Sequence, residues 1–125
     1  MTKKVKHILI AEDEEAYSRV LKYKLEDEGF TVSTAADGAE ALKAVQNKKQ
    51  DLLLLDLIMP VMNGFEVLEK WSKDAVLKKI PVIVLSNLGQ EEDIKRTTAL
   101  GAKDYFIKTD MELVKVVEKV RGVLV

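Results

Sequence analysis

Two hydrophobic periodicities take turns along the chain, and this alternation restricts the fold more than any other feature. "HILIA" (7–11), "TVSTA" (31–35), "DLLLLD" (51–56), "PVIVLS" (81–86) and "DYFI" (104–107) are short, rich in branched or aromatic residues, and bounded by polar or glycine-containing turns. Such runs predict five strands. Between and after them lie segments with helical spacing: Tyr17, Leu21 and Leu25; Ala39, Leu42 and Val45; Phe65, Leu68 and Trp71; and Leu113, Val117, Val120 and Leu124. Residues 90–100 form the weakest helical segment, with Ile94 and Leu100 as its main anchors. Glycines in "EDEGF", "LGA" and "MNG" fall where helices end or the chain turns. Strands alternating with helices imply right-handed crossovers and a mostly parallel sheet covered on both faces. The nearly continuous apolar character of the first, third and fourth strands agrees, because strands buried on both sides do not alternate. The expected fold is α/β: a five-stranded parallel sheet, doubly wound, in a (βα)5 chain order.

A length of 125 residues suits one domain spanning 1–125, and the expectation is a single domain with no output domain, either standing alone or excised from a longer protein. The net charge of -1 gives no basic excess, so no direct nucleic-acid binding is expected. Cysteine is absent, which removes disulfide frameworks and thiolate metal sites from consideration. "HILIA" is far too short for a signal-peptide core or a membrane span, and acids follow it at once. The expectation is a cytoplasmic protein without a membrane segment.

The stretch "LLLLDLIMPVMNG" (52–64) ends the most hydrophobic run of the chain on a carboxylate, Asp56. A carboxylate at the edge of an apolar core loses solvation and is retained where something pairs with it or where its chemistry is needed. In open α/β sheets ligands bind outside the carboxyl ends of the strands, where strand order reverses. Asp56 ends strand three, Glu12 and Asp13 end strand one, Ser86 ends strand four, and Lys108 follows strand five. Three carboxylates brought together call for a cation, and hard oxygen donors favour Mg²⁺, or Mn²⁺, over zinc. Mg²⁺ with a carboxylate nucleophile and a lysine suits phosphoryl transfer to Asp56. Each residue also has a plainer role: Asp56 as a helix cap or turn residue, Glu12 and Asp13 as helix N-terminal acids, Ser86 as a strand-end serine, Lys108 as a solvated lysine.

The chain resembles the response-regulator receiver domains of two-component signalling over essentially its whole length. "ILIAEDE" is similar to that family's acidic pair, "LLLLDLIMPVMNG" to its phosphoacceptor strand and loop, "VIVLSN" to its hydroxyl motif and "YFIKTD" to its lysine motif, all in the family's order and spacing. The resemblance implies a flavodoxin-like sheet of strand order 2-1-3-4-5 and a phosphoacceptor signalling role, with no enzymatic activity beyond self-phosphorylation and dephosphorylation. It implies that Asp56 accepts the phosphoryl group, and that Glu12, Asp13, Asp56 and the main-chain carbonyl of Ile58 hold Mg²⁺. Ser86 would then donate to the phosphoryl group, Lys108 would pair with it, and Tyr105 would turn inward with Ser86 as the switch of the helix 4–strand 5–helix 5 face. The implied partners are a sensor histidine kinase or phosphotransfer protein upstream and an unknown protein target downstream, with the domain a monomer or a phosphorylation-dependent dimer.

The sequence also departs from the family pattern. Glu12 stands where aspartate is usual and adds a methylene to the metal contact. Thr109 stands where proline follows the lysine through a cis bond, which leaves a trans peptide or a strained cis one as the alternatives here. Asn87 is bulkier than the small residue usual beside the hydroxyl, and is expected to hinder the movement of Ser86 or Tyr105. Ile58 and Leu88 occupy the two positions that, in the family, flank the phosphoryl group, and both are apolar; the resemblance therefore implies slow hydrolysis of an acyl phosphate, since neither side chain can orient a water. His7, the single histidine, is expected to be a strand-edge residue rather than a phosphoryl carrier. A haloacid-dehalogenase-like phosphatase would need a second aspartate at the position of Ile58, and an FMN carrier would need a phosphate-cradling loop where "AEDEEAY" stands. The remaining alternative is a receiver-like interaction module that works without phosphorylation.

Overall fold

The computed structural model describes residues 4–125; Met1, Thr2 and Lys3, included in the expected 1–125 domain, lie outside the described residues. Five parallel strands, β1 (His7–Ala11), β2 (Thr31–Ala35), β3 (Leu52–Leu55), β4 (Val82–Ser86) and β5 (Asp104–Ile107), form one sheet in the order β2-β1-β3-β4-β5. The helices are α1 (Glu15–Asp27), α2 (Gly38–Asn47), α3 (Gly64–Lys73), α4 (Glu91–Ala99) and α5 (Leu113–Leu124). Two 3₁₀ turns, Leu77–Lys79 and Lys108–Asp110, precede β4 and follow β5. None of the described helices is long and apolar enough to cross a membrane.

Strand geometry divides the apolar runs between two cores, since successive side chains point to opposite faces. Leu53 and Leu55, with Leu9, Val82 and Val84, pack against Ala41 and Val45 of α2 and Val67, Leu68 and Trp71 of α3. Leu52 and Leu54, with Ile8, Ile10, Ile83 and Leu85, pack against Leu21 and Leu25 of α1 and Val116, Val117 and Val120 of α5. All four leucines of β3 are buried, which is why that run reads as continuous rather than alternating. Trp71 reaches across the first core and donates its indole N–H to the Ile80 carbonyl at 3.3 Å.

The predicted strands hold, with β3 and β4 shorter by their flanking residues: Asp51, Pro81 and Asp56 lie just outside. Two helix faces differ from the spacing read in the sequence. In α2 the buried residues are Gly38, Ala41 and Val45, whereas Ala39 is exposed. In α4 the buried residue is Thr97, with Ile94 and Leu100 only half-buried. The Thr97 hydroxyl donates to the Asp93 and Ile94 carbonyls, so a polar side chain enters the interior without an unpaired group. Gly29 and Gly101, each at φ +98°, end α1 and α4 in the left-handed conformation that glycine adopts without strain.

Candidate functional site

Strand order reverses between β1 and its neighbours, and the register sets the site. Ala11 pairs with Leu55, so the next residues, Glu12 and Asp56, emerge side by side at the carboxyl edge. The Asp56 N–H donates to the Ala11 carbonyl at 2.9 Å and the Glu12 N–H to the Ala35 carbonyl at 2.9 Å, extending the ladder to the acids themselves. Ser86 pairs with Ile107 at the ends of β4 and β5, which brings Lys108 to the same edge.

The loop after β3 is held from behind by α3. Asn63 caps that helix in a reciprocal capping box with Glu66, and the Gly64 N–H donates to the Leu57 carbonyl at 3.0 Å. A Cβ on Gly64 would lie 2.3 Å from the Asp56 carbonyl oxygen and 2.7 Å from Leu57 Cα, so this close approach requires glycine. The Asp56 side chain is buried and divided in its contacts. Oδ1 accepts from the Leu57 N–H at 2.7 Å and the Ile58 N–H at 3.3 Å, whereas Oδ2 faces the Lys108 ammonium at 3.2 Å.

Lys108 forms ion pairs with both Glu12 and Asp56, and its side chain is only 6% exposed. Burial works against its charge, but hydrogen bonds and attraction from the two carboxylates outweigh that cost and hold the ammonium above its ordinary range. Glu12 is also buried; its other oxygen accepts the Glu14 N–H at 3.0 Å. Desolvation pushes the Glu12 carboxyl up to about 7, against the lowering effect of hydrogen bonds from Lys108 and Glu14 and with a raising contribution from Asp56.

Glu12, Asp13 and Asp56 can each bring a carboxylate oxygen within 4.8 Å of the others. Asp13 is exposed and the other two are buried, so the cluster opens to solvent on one side. Beside it lies a cavity of about 160 Å³ lined by Asp13, Glu14, Asp56, Ile58, Asn87 and Lys108. An all-oxygen donor set with room for several waters suits Mg²⁺, which keeps much of its hydration shell.

The remaining expected residues occupy the same edge with distinct surroundings. Ser86 is fully buried, and its Oγ accepts weakly from the Leu88 N–H at 3.4 Å. The half-buried Tyr105 ring crosses from β5 to the loop before α4 and donates its hydroxyl to the Leu88 carbonyl. Asn87 is exposed and lines the acidic cavity. No cis peptide occurs among the described residues, so the Lys108–Thr109 bond is trans and the lysine opens a 3₁₀ turn. His7 lies at the opposite end of β1, at the start of a strand interior to the sheet, where its N–H donates to Asp51 Oδ2 at 2.8 Å.

One neighbour of the site was read in the sequence only as part of a helix stripe. The Tyr17 ring lies beneath Lys108, with Nζ 4.7 Å from its centroid. An aromatic in the first turn of a helix that starts directly after the acidic residues is the signal that was there to be used.

A flavodoxin-like sheet with an acidic cluster and a lysine at its switch point defines the receiver class of signalling domains. Residues 8–120 match the family model described as "Response regulator receiver domain", and the chain belongs to that family. It is 40% identical over 101 residues to the phosphate regulon transcriptional regulatory protein PhoB of Rhizobium meliloti (strain 1021), a match covering 81% of this chain and 44% of that regulator. The chain spans less than half the length of the first curated relatives that it matches. Among solved structures it is similar to the CheY-like receiver domain protein from Methanospirillum hungatei JF-1, with a TM-score of 0.89, 30% identity and coverage of 97% of this chain and 94% of that one. It is also similar to the phosphorylated cyanobacterial phytochrome response regulator RcpA, with a TM-score of 0.82, 32% identity and coverage of 96% and 91%.

Proposed function

We propose that this domain accepts a phosphoryl group on Asp56 and passes the signal on through the face made by α4, β5 and α5. The observation that carries the reading is the asymmetry of the Asp56 carboxylate. Oδ1 is held by two main-chain N–H groups, whereas Oδ2 has, among the described residues, the Lys108 ammonium as its one hydrogen-bond partner, and both residues line the acidic cavity. Oδ2 is therefore the nucleophile. It attacks phosphorus of the donor, the bond between phosphorus and the leaving group breaks, and the leaving group departs with that electron pair, giving an acyl phosphate.

Lys108 then exchanges its contact with Asp56 for one with a phosphoryl oxygen, neutralising charge there without leaving its place. Glu12, Asp13, Asp56 and the Ile58 carbonyl would hold Mg²⁺, which when bound supplies charge neutralisation and orientation for the transferring group. Glu12 has to part from Lys108 to contribute fully, because one of its oxygens is paired with that ammonium and the other accepts the Glu14 N–H. Ser86 would turn its hydroxyl from the Leu88 N–H toward the phosphoryl group. That movement disturbs the loop to which Tyr105 is tethered at the Leu88 carbonyl, and so biases the two arrangements of the switch face.

The upstream partner on this reading is a sensor histidine kinase or phosphotransfer protein, and the downstream one a protein that binds the switched face. The relation to the phosphorylated RcpA regulator and to transcriptional regulators supports a signalling role of this kind. Intact mass after incubation with acetyl phosphate tests it. With Mg²⁺ the protein gains about 80 Da, one phosphoryl group, and Asp56→Asn gains nothing. Absence of any gain while Mg²⁺ binding is confirmed by calorimetry overturns the reading and favours an interaction module independent of phosphate.

A further inference from the structure

We propose that Tyr17 is a positioning residue for Lys108, its ring holding the ammonium between Glu12 and Asp56 where it meets the phosphoryl group. The inference rests on the phosphoacceptor reading and extends it to a residue with no assigned role.

A lysine side chain has four flexible carbons, and here the backbone does little to aim it. Lys108 opens a short 3₁₀ turn through a trans peptide to the exposed Thr109. What fixes its ammonium is its surroundings: the carboxylates of Glu12 and Asp56, and the Tyr17 ring with its centroid 4.7 Å from Nζ. That separation lies within the range of a cation–π contact, which strengthens when the cation is shielded from water, as this one is. The ring is itself held by packing. It lies among Ile10, Leu21, Leu54 and Leu85 at the edge of the core shared by α1 and α5.

Two features make the ring, rather than the phenol, the working part. The Tyr17 hydroxyl is buried and has no hydrogen-bond partner, so it contributes no polar anchor. The contact also differs in kind from the two ion pairs. A ring face attracts the ammonium whichever anion it is paired with, so the hold persists while Lys108 exchanges the Asp56 carboxylate for a phosphoryl oxygen. Neither carboxylate pair supplies that continuity, because Lys108 gives up Asp56 to the phosphoryl oxygen and Glu12 parts from it to reach the cation.

The test measures acetyl-phosphate labelling by intact mass, with Mg²⁺, for the wild type, Tyr17→Phe and Tyr17→Leu, and again for each in a Lys108→Met background. Tyr17→Leu slows labelling about tenfold, and Tyr17→Phe stays within about twofold of wild type. In the Lys108→Met background Tyr17→Leu adds nothing, because the contact it removes is already gone. NMR reads the contact without phosphate: the Lys108 Hε resonances carry a ring-current shift that persists in Tyr17→Phe and disappears in Tyr17→Leu. The proposal is overturned by wild-type labelling in Tyr17→Leu, by equal slowing in Tyr17→Phe, by an undiminished effect in the Lys108→Met background, or by absence of the ring-current shift in the wild type. A wild type that does not label at all overturns the phosphoacceptor reading itself. Should Tyr17→Leu not fold, the Phe variant and the wild-type resonances still decide the matter.

Discussion

Val61 is a valine in a conformation that valine avoids, and replacing it should stabilise the domain. Its φ is +66°, and the Met62 N–H donates to the Pro60 carbonyl at 2.6 Å across it, closing a three-residue turn. A turn of this kind with positive φ at its centre is rare and strained. For a residue bearing a Cβ the left-handed region costs about 1–2 kcal/mol. Glycine escapes that cost but gives up about 0.5–1 kcal/mol through the greater freedom of the unfolded chain. The side chain is 81% exposed, so removing it forfeits little burial. The balance for Val61→Gly is a gain of about 0.5–1 kcal/mol, or about 2–5 °C in the midpoint of thermal unfolding. Urea titration followed by the fluorescence of Trp71 should show a higher midpoint at unchanged slope, with Val61→Ala moved less than Val61→Gly. A midpoint equal to or below wild type would show that the turn is not strained.

Three further expectations concern the surroundings of Asp56. Gly64→Ala places a Cβ against the Asp56 carbonyl and Leu57 Cα; it should cost about 1–3 kcal/mol in urea titration, and an unchanged midpoint would remove the proposed backing of the loop. Ile58, 55% exposed on the cavity wall, should shield the acyl phosphate from water; Ile58→Ala should speed its decay about tenfold or more, and an unaltered lifetime measured by mass would exclude shielding by this side chain. Burial, with Asp93 and Asp56 adding to it, pushes the Tyr105 phenol up to about 12. Unfolded tyrosine ionises near 10, so the native state keeps a proton that the unfolded state releases. The Tyr105 contribution to stability is complete below about pH 10 and is lost as pH rises through about 12. Tyrosinate absorbance of the native protein should therefore end with a late step that Tyr105→Phe removes, and its persistence in that variant would assign the step elsewhere.

The strands and the identity of the acidic edge were legible in the sequence because both rest on local patterns. An unbroken "LLLL" has to be buried on two faces, and a carboxylate at its end has to sit where the sheet opens. The helix faces were less legible where small or polar residues do the packing. Gly38 and Ala41 turn inward in α2 because its first turn lies against the Met62 carbonyl, and Thr97 is buried in α4 because its hydroxyl is satisfied by the helix itself. Hydrophobic spacing is blind to both. The site's own wiring was the least legible part. Glu12 pairs with Lys108, and Tyr17 lies beneath the ammonium, through contacts between β1, α1 and the end of β5 that no spacing rule connects. The strain at Val61 was hidden for a different reason, since nothing in "MPVMNG" distinguishes a valine at negative φ from one at positive φ.

Locating the phosphoryl group on the chain tests the role of Asp56. Borohydride reduction of an acyl phosphate cleaves it and leaves an alcohol in place of the carboxyl group. After acetyl-phosphate treatment with Mg²⁺, reduction and proteolysis, peptide mass spectrometry should find that conversion at residue 56, and it should be absent when Mg²⁺ is withheld. Conversion at Glu12 or Asp13 with residue 56 unchanged would mean that the nucleophile has been misassigned, and no conversion at any carboxylate would mean that this domain does not signal through an acyl phosphate.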